Sequence, residues 1–163
     1  MKKIGIVTDS HSSISQEEAE KLGIFVLPMP FYIDGECFYE SVTLSRELFF
    51  EKLAAGADIT TSQPSPTAVM EIWDKALEQF EKILYLPISS GLSGSYETAM
   101  MLAKDEAYEG RVLVVDDGQV AAPLHQMVLD TLDMIKKGYE AEQIRDLLER
   151  AGDRMMIYIA LQT

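Results

Sequence analysis

The sequence predicts an α/β domain with a largely parallel sheet and helices on both faces. Three observations predict it. Short apolar runs of buried-strand type stand at residues 4–8, 83–86 and 112–115, helical segments with caps lie between them, and polar loops of Ser, Asp and Gly follow the runs directly. Parallel neighbours need long crossovers, and the stretches between these runs are long enough to supply them.

Residues 4–8 make the first strand, and Ser15 with Glu18 three positions on forms a capping box for the first helix. Residues 25–27 and 31–33 are extended, Asp34-Gly35 is a hairpin signal and residues 37–39 return, so the second strand continues into a small β-excursion. Cys37, on the flank of that hairpin, reads as a small buried apolar residue. A helix is expected over 45–54. Residues 60–65, Thr-Thr-Ser-Gln-Pro-Ser, read as a loop in which Ser65 and Pro66 supply the N-cap and first position of the next helix. Val69, Ile72, Trp73, Ala76, Leu77 and Phe80 then recur at spacings of three and four, one apolar stripe to lay against a sheet. After the strand at 83–86 come a Ser/Gly loop from Ser89 to Tyr96, a helix over 94–107, a strand at 112–115, a helix over 122–137 stopped by Gly138, and a helix over 141–151. Residues 155–161 carry a last strand pattern that runs almost to Thr163, and the chain is expected to be cut there.

Composition narrows the function. With 163 residues, 47% of them hydrophobic, the chain is long enough for one domain with a core. A net charge of -13 repels nucleic acid and anionic lipid alike, so no nucleic-acid partner is expected. One cysteine excludes an internal disulfide and a multi-cysteine zinc site. The start Met1-Lys2-Lys3 runs straight into a strand, and no stretch has the roughly 18 apolar residues of a membrane span, which makes the cytoplasm the expected location.

The two hydroxyl-rich loops are the candidate site. Each opens a helix, where free N–H groups, the positive dipole end and small alcohols favour an anion. Neither contains Lys or Arg, so the donors are neutral and suit a carboxylate better than a triphosphate. In an open parallel sheet the crevice lies beyond the carboxyl ends of the strands, which here carry Asp9-Ser10, the Ser89 loop and Asp116-Asp117-Gly118. Enzymatic alternatives lack parts. Gly91-Leu92-Ser93-Gly94-Ser95 has no second glycine for a nucleophile elbow, and no lysine follows Gly94 as a phosphate loop requires. A metal-assisted phosphatase or hydrolase using Asp9, Asp116 and Asp117 is the second reading. An interaction domain without a small ligand is the third.

At these residues the chain resembles the DegV family of bacterial fatty-acid-binding proteins, which includes the binding subunits of fatty acid kinase. Val7-Thr8-Asp9-Ser10 resembles the family's T-D-S strand end, and residues 60–65 match its T-T-S-Q-P-S loop without a change. Residues 89–96 match S-S-G-L-S-G-T-Y with Ser95 for Thr, and Val115-Asp116 opens its V-D-S motif with Asp117 for Ser. Pro123-Leu124-His125 stands where a Gly-containing segment is common. The resemblance implies a two-domain α/β protein of which this chain is the N-terminal domain, the C-terminal one being absent, with a fatty acid held between the two. It assigns the carboxylate to Thr61 and Ser93 first, with Thr60, Ser62, Ser89 and Ser90 as neighbours. It implies a carrier rather than a catalyst, no cofactor or metal, a palmitate-like long-chain fatty acid as ligand, and the catalytic subunit of fatty acid kinase as partner. Phe31, Ile33, Leu92 and Met100 are candidate linings for the acyl chain.

Overall fold

The computed structural model describes residues 2–39 and 42–156. Four parallel strands form the central sheet: β1 (Lys2–Asp9), β2 (Phe25–Leu27), β6 (Phe80–Leu86) and β7 (Val112–Val114), in the order β2-β1-β6-β7. Alternate residues of each strand point to opposite faces, and both faces are buried. Ile6, Leu84, Leu86 and Leu113 meet α1 (Gln16–Leu22), α5 (Ala121–Lys136) and α6 (Ala141–Gly152) on one face. Val7, Ile83, Tyr85 and Val114 meet α3 (Pro66–Leu77) and α4 (Ser95–Leu102) on the other. The apolar stripe of α3 is this second contact, with Trp73 fully buried and edge-on to Tyr85 and Tyr108 at centroid distances of 5.4 and 5.2 Å.

The β-excursion is a separate antiparallel sheet of β3 (Pro30–Ile33), β4 (Glu36–Tyr39) and β5 (Ile59–Thr61). Asp34 and Gly35 both adopt positive φ, 50° and 85°, which is the backbone a tight hairpin demands. Phe31, Ile33 and Leu44 form a third, small core with Phe38, Ile59 and Phe49 of α2 (Arg46–Ala54).

Three expectations are corrected. Thr60 and Thr61 belong to β5, not to a loop, because they pair with Tyr32 and Phe31 of β3. The helix expected over 94–107 ends at Leu102: Asp105 takes the chain out through turns, its carboxylate accepting the Ala107 N–H at 2.9 Å while its carbonyl accepts those of Tyr108 and Glu109. Cys37 is exposed, since β4 is an edge strand and only Phe38 on it turns toward the small core. The strand expected over 155–161 lies, from residue 157 onward, outside the described residues. Among the described residues no helix is long and apolar enough to cross a membrane.

Candidate ligand site

The carboxyl ends of β1, β6 and β7 are tied together by side chains. Thr8 donates its hydroxyl to the Leu86 carbonyl at 2.7 Å. Asp9, buried at the end of β1, accepts the His11 N–H on one oxygen at 2.9 Å and the Ile88 N–H on the other at 2.8 Å. The Gln119 carbonyl accepts the Ser89 N–H at 2.8 Å, and Ser90 donates its hydroxyl to Asp116 at 3.0 Å. The loop after β6 is thus hung at adjacent residues from both flanking strands, so its start is fixed before any ligand arrives.

Within that loop Ser89 and Ser93 act first as local turn formers. Ser89 Oγ accepts the Gly91 N–H at 3.2 Å, and Ser93 Oγ accepts the Ser95 N–H at 3.2 Å and pairs with the Ser95 hydroxyl at 2.9 Å. The two helix starts then differ. On α3, Ser65 accepts the Ala68 N–H at 3.1 Å and Pro66 brings no N–H, so the helix satisfies itself. On α4, Gly94 at the cap has no side chain and Ser93 Oγ takes the first amide, that of Ser95, so this helix start is covered by its own loop rather than by its cap residue.

The first hydroxyl loop reaches the second through Gln63, whose Oε1 accepts the Thr98 hydroxyl at 3.2 Å and lies 3.3 Å from where a Cβ on Gly94 would stand. Ser62 donates its hydroxyl to the Gln63 carbonyl at 3.2 Å. The pleat of β5 sends Thr60 and Thr61 to opposite faces. Thr61 lines a cleft of about 480 Å³ between the main body and the small sheet. Val26, Met29, Phe31, Phe49 and Phe50 supply its apolar walls, and Ser10, His11 and Arg46 its polar ones. Of the proposed linings, Phe31 faces this cleft, Ile33 is buried in the small core, and Leu92 and Met100 are exposed. Arg46 and His11 are cleft residues that sequence reasoning missed. Arg46 reads as an ordinary first-turn residue after its Ser45 cap, and only the folding of α2 against β3 brings it here. A second hollow of about 380 Å³, floored by Ile4, Phe80 and Leu132, opens at the amino ends of the strands, away from both loops.

Beneath the second loop the acids are buried. Burial pushes the Asp117 carboxyl up to about 8, its Gln119 N–H bond pulls the other way, and the neighbouring Asp9 and Asp116 add to the rise. Burial also raises Asp9, against the pull of its two main-chain donors. Asp9, Asp116 and Asp117 therefore serve as clamps on the backbone and on Ser90. Among the described residues no group of three or more His, Cys, Asp or Glu side chains is placed to hold a metal ion.

A parallel sheet covered by helices on both faces, with hydroxyl-rich loops at its carboxyl edge, defines an open α/β domain of the doubly wound class. The family model described as "Uncharacterised protein, DegV family" matches residues 3–163, and the chain belongs to the DegV family. It is 33% identical over 144 residues to a DegV domain-containing protein of Caldanaerobacter subterraneus subsp. tengcongensis, covering 88% of this chain and 51% of that one. A structure described as fatty acid binding of a DegV family protein from Thermus thermophilus is 32% identical with a TM-score of 0.82, covering 93% of this chain and 54% of that one. A Thermotoga maritima protein, described as hypothetical and as revealing fatty acid binding function, is 25% identical with a TM-score of 0.79, over 92% and 55% of the two chains. The chain spans about half the length of the curated relatives it matches.

Proposed function

We propose that this chain binds a long-chain fatty acid, gripping the carboxylate with its hydroxyl loops and laying the acyl chain in the adjoining cleft. Thr61 and Ser93 are the first head-group donors, with Ser62, Ser89 and Ser90 around them, while Thr60 stands on the other face of β5. The observation that carries the reading is the cleft itself, an apolar space of about 480 Å³ with Thr61 in its wall; Ser89, Ser90 and Ser93 do not line it, and the 89–95 loop is reached from the Thr60–Ser65 segment through the Gln63–Thr98 bond. Burying about 14 methylenes at roughly 0.8 kcal/mol each contributes about 11 kcal/mol gross, enough to hold a chain in water. The carboxylate loses hydration on entry, and fixed donors of the loops offset that cost. The fatty acid binding ascribed to the Thermus thermophilus relative supports the ligand class.

In this reading the chain is the head-group half of a two-domain carrier in the cytoplasm. It presents the carboxylate to the catalytic subunit of a fatty acid kinase, which performs the phosphorylation. Denaturing extraction of the purified protein followed by mass spectrometry is expected to release a long-chain fatty acid. The Thr61→Ala, Ser93→Ala double variant is expected to retain several-fold less while staying folded by circular dichroism. An empty wild-type protein that also fails to take up palmitate would overturn the reading, and undiminished retention in the variant would remove both residues from the site.

A further inference from the structure

We propose that Asp117 is a positioning residue of the 89–95 loop, held there as the neutral acid, and that ionising it weakens the loop's hold on a carboxylate. The proposal rests on the fatty-acid reading above and adds its control by protons.

The geometry is a relay. Asp117 Oδ1 accepts the Gln119 N–H at 2.8 Å, and the Gln119 carbonyl accepts the Ser89 N–H at 2.8 Å, so the carboxyl sets the first amide of the loop through one intermediate residue. Asp9 does the same for the preceding residue by accepting the Ile88 N–H. Asp117 is 1% exposed and Gln119 fully buried. Asp117 Oδ2 and both side-chain amide atoms of Gln119 have no hydrogen-bond partner among the described residues. An ionised oxygen left so is costly to bury, whereas a protonated one is neutral and becomes a donor. Gly152 at the end of α6 packs directly against this segment, so that a Cβ there would collide with the Asp117 carbonyl oxygen.

The charges that face Asp117 from the packed elements reinforce the neutral form. β1 brings Asp9, and β6 brings the buried Tyr85, whose phenol stays neutral. Its own segment brings Asp116, and α6 brings Glu149, whose carboxylate accepts the Asp116 N–H at 3.2 Å. Asp153 and Arg154, which follow α6, are exposed. A ligand carboxylate at the loop would be a further negative charge. It is accommodated when Asp117 carries its proton and repelled when Asp117 loses it, and the midpoint falls near pH 8, where burial has moved this carboxyl.

The test is palmitate affinity of wild type and Asp117→Asn from about pH 6.5 to about pH 9.5, where the fatty acid itself stays ionised. Alongside it, the Ser89 and Gln119 amide resonances of 15N-labelled protein are titrated without ligand. Wild-type affinity is expected to fall above the midpoint by as much as about tenfold per pH unit, and Asp117→Asn to flatten the profile whatever its absolute affinity. In the ligand-free protein both amides should follow one shared midpoint that the variant lacks. A flat wild-type profile, or an unchanged fall in Asp117→Asn, overturns the proposal. If palmitate binds at no pH, the fatty-acid reading fails on its own account, and the amide titration decides alone: a shared midpoint keeps the positioning role, and its absence ends it.

Discussion

At the scale of single residues, the buried acids couple the 89–95 loop to the stability of the fold. Asp117 has an ordinary value of 3.8 and stands near 8 in the folded chain, so the native state keeps a proton that the unfolded chain gives up. The sign follows: its contribution is fully present below about pH 4 and is lost as pH rises through about 8, at about 1.4 kcal/mol per unit within that window. Asp117→Asn cannot ionise. Its stability relative to wild type is therefore expected to climb with pH over that range and level off above it, measured by urea unfolding at several pH values. A constant difference across the range would show that Asp117 keeps its charge when buried.

At the scale of elements, caps and pairing decide what the sequence could tell. α3 is expected to lose about 1 kcal/mol on Ser65→Ala, because the Ala68 N–H loses its side-chain acceptor in the first turn of the helix. Thermal unfolding reads that loss directly. This helix, like β1, β6 and β7, was legible in the sequence because its signals are local: a capping pair, a spacing of three and four, or apolar runs buried on both faces. β5 was not legible. Ile-Thr-Thr is a strand only because β3 lies beside it, and neither its burial pattern nor its three-residue length announces this. Cys37 failed for the complementary reason, since an edge position cannot be read from a small apolar side chain. In the site, the hydroxyls were legible as chemistry, but the neighbourhood was not. The approach of Gln63 to Gly94 and the entry of Arg46 into the cleft both depend on elements far apart in the chain.

At the scale of the whole molecule, the cleft separates two bodies of unequal strength. On one side stand Ile14 and Val26, which belong to the large core around the parallel sheet. On the other stand Phe31, Leu44, Phe49 and Ile59, which belong to a core of only three buried residues and their partly buried neighbours. α2 closes that side without burying a single residue of its own, and Phe50 and Leu53 are about half exposed on it. Local stability follows contact with a core, so the amides of α2 and β5 are expected to exchange with solvent faster than those of β1 and β6 in the ligand-free protein. A fatty acid touching both walls would add apolar contact where the smaller body has least, and binding at a hundredfold excess over Kd stabilises the state that binds by about 2.7 kcal/mol. Hydrogen exchange with and without palmitate is therefore expected to show the gain in protection concentrated in α2 and β5, with β1 and β6 little changed. Bound palmitate that leaves α2 as exchangeable as before would place the acyl chain elsewhere on the molecule and return this cleft to the role of a seam between two sheets.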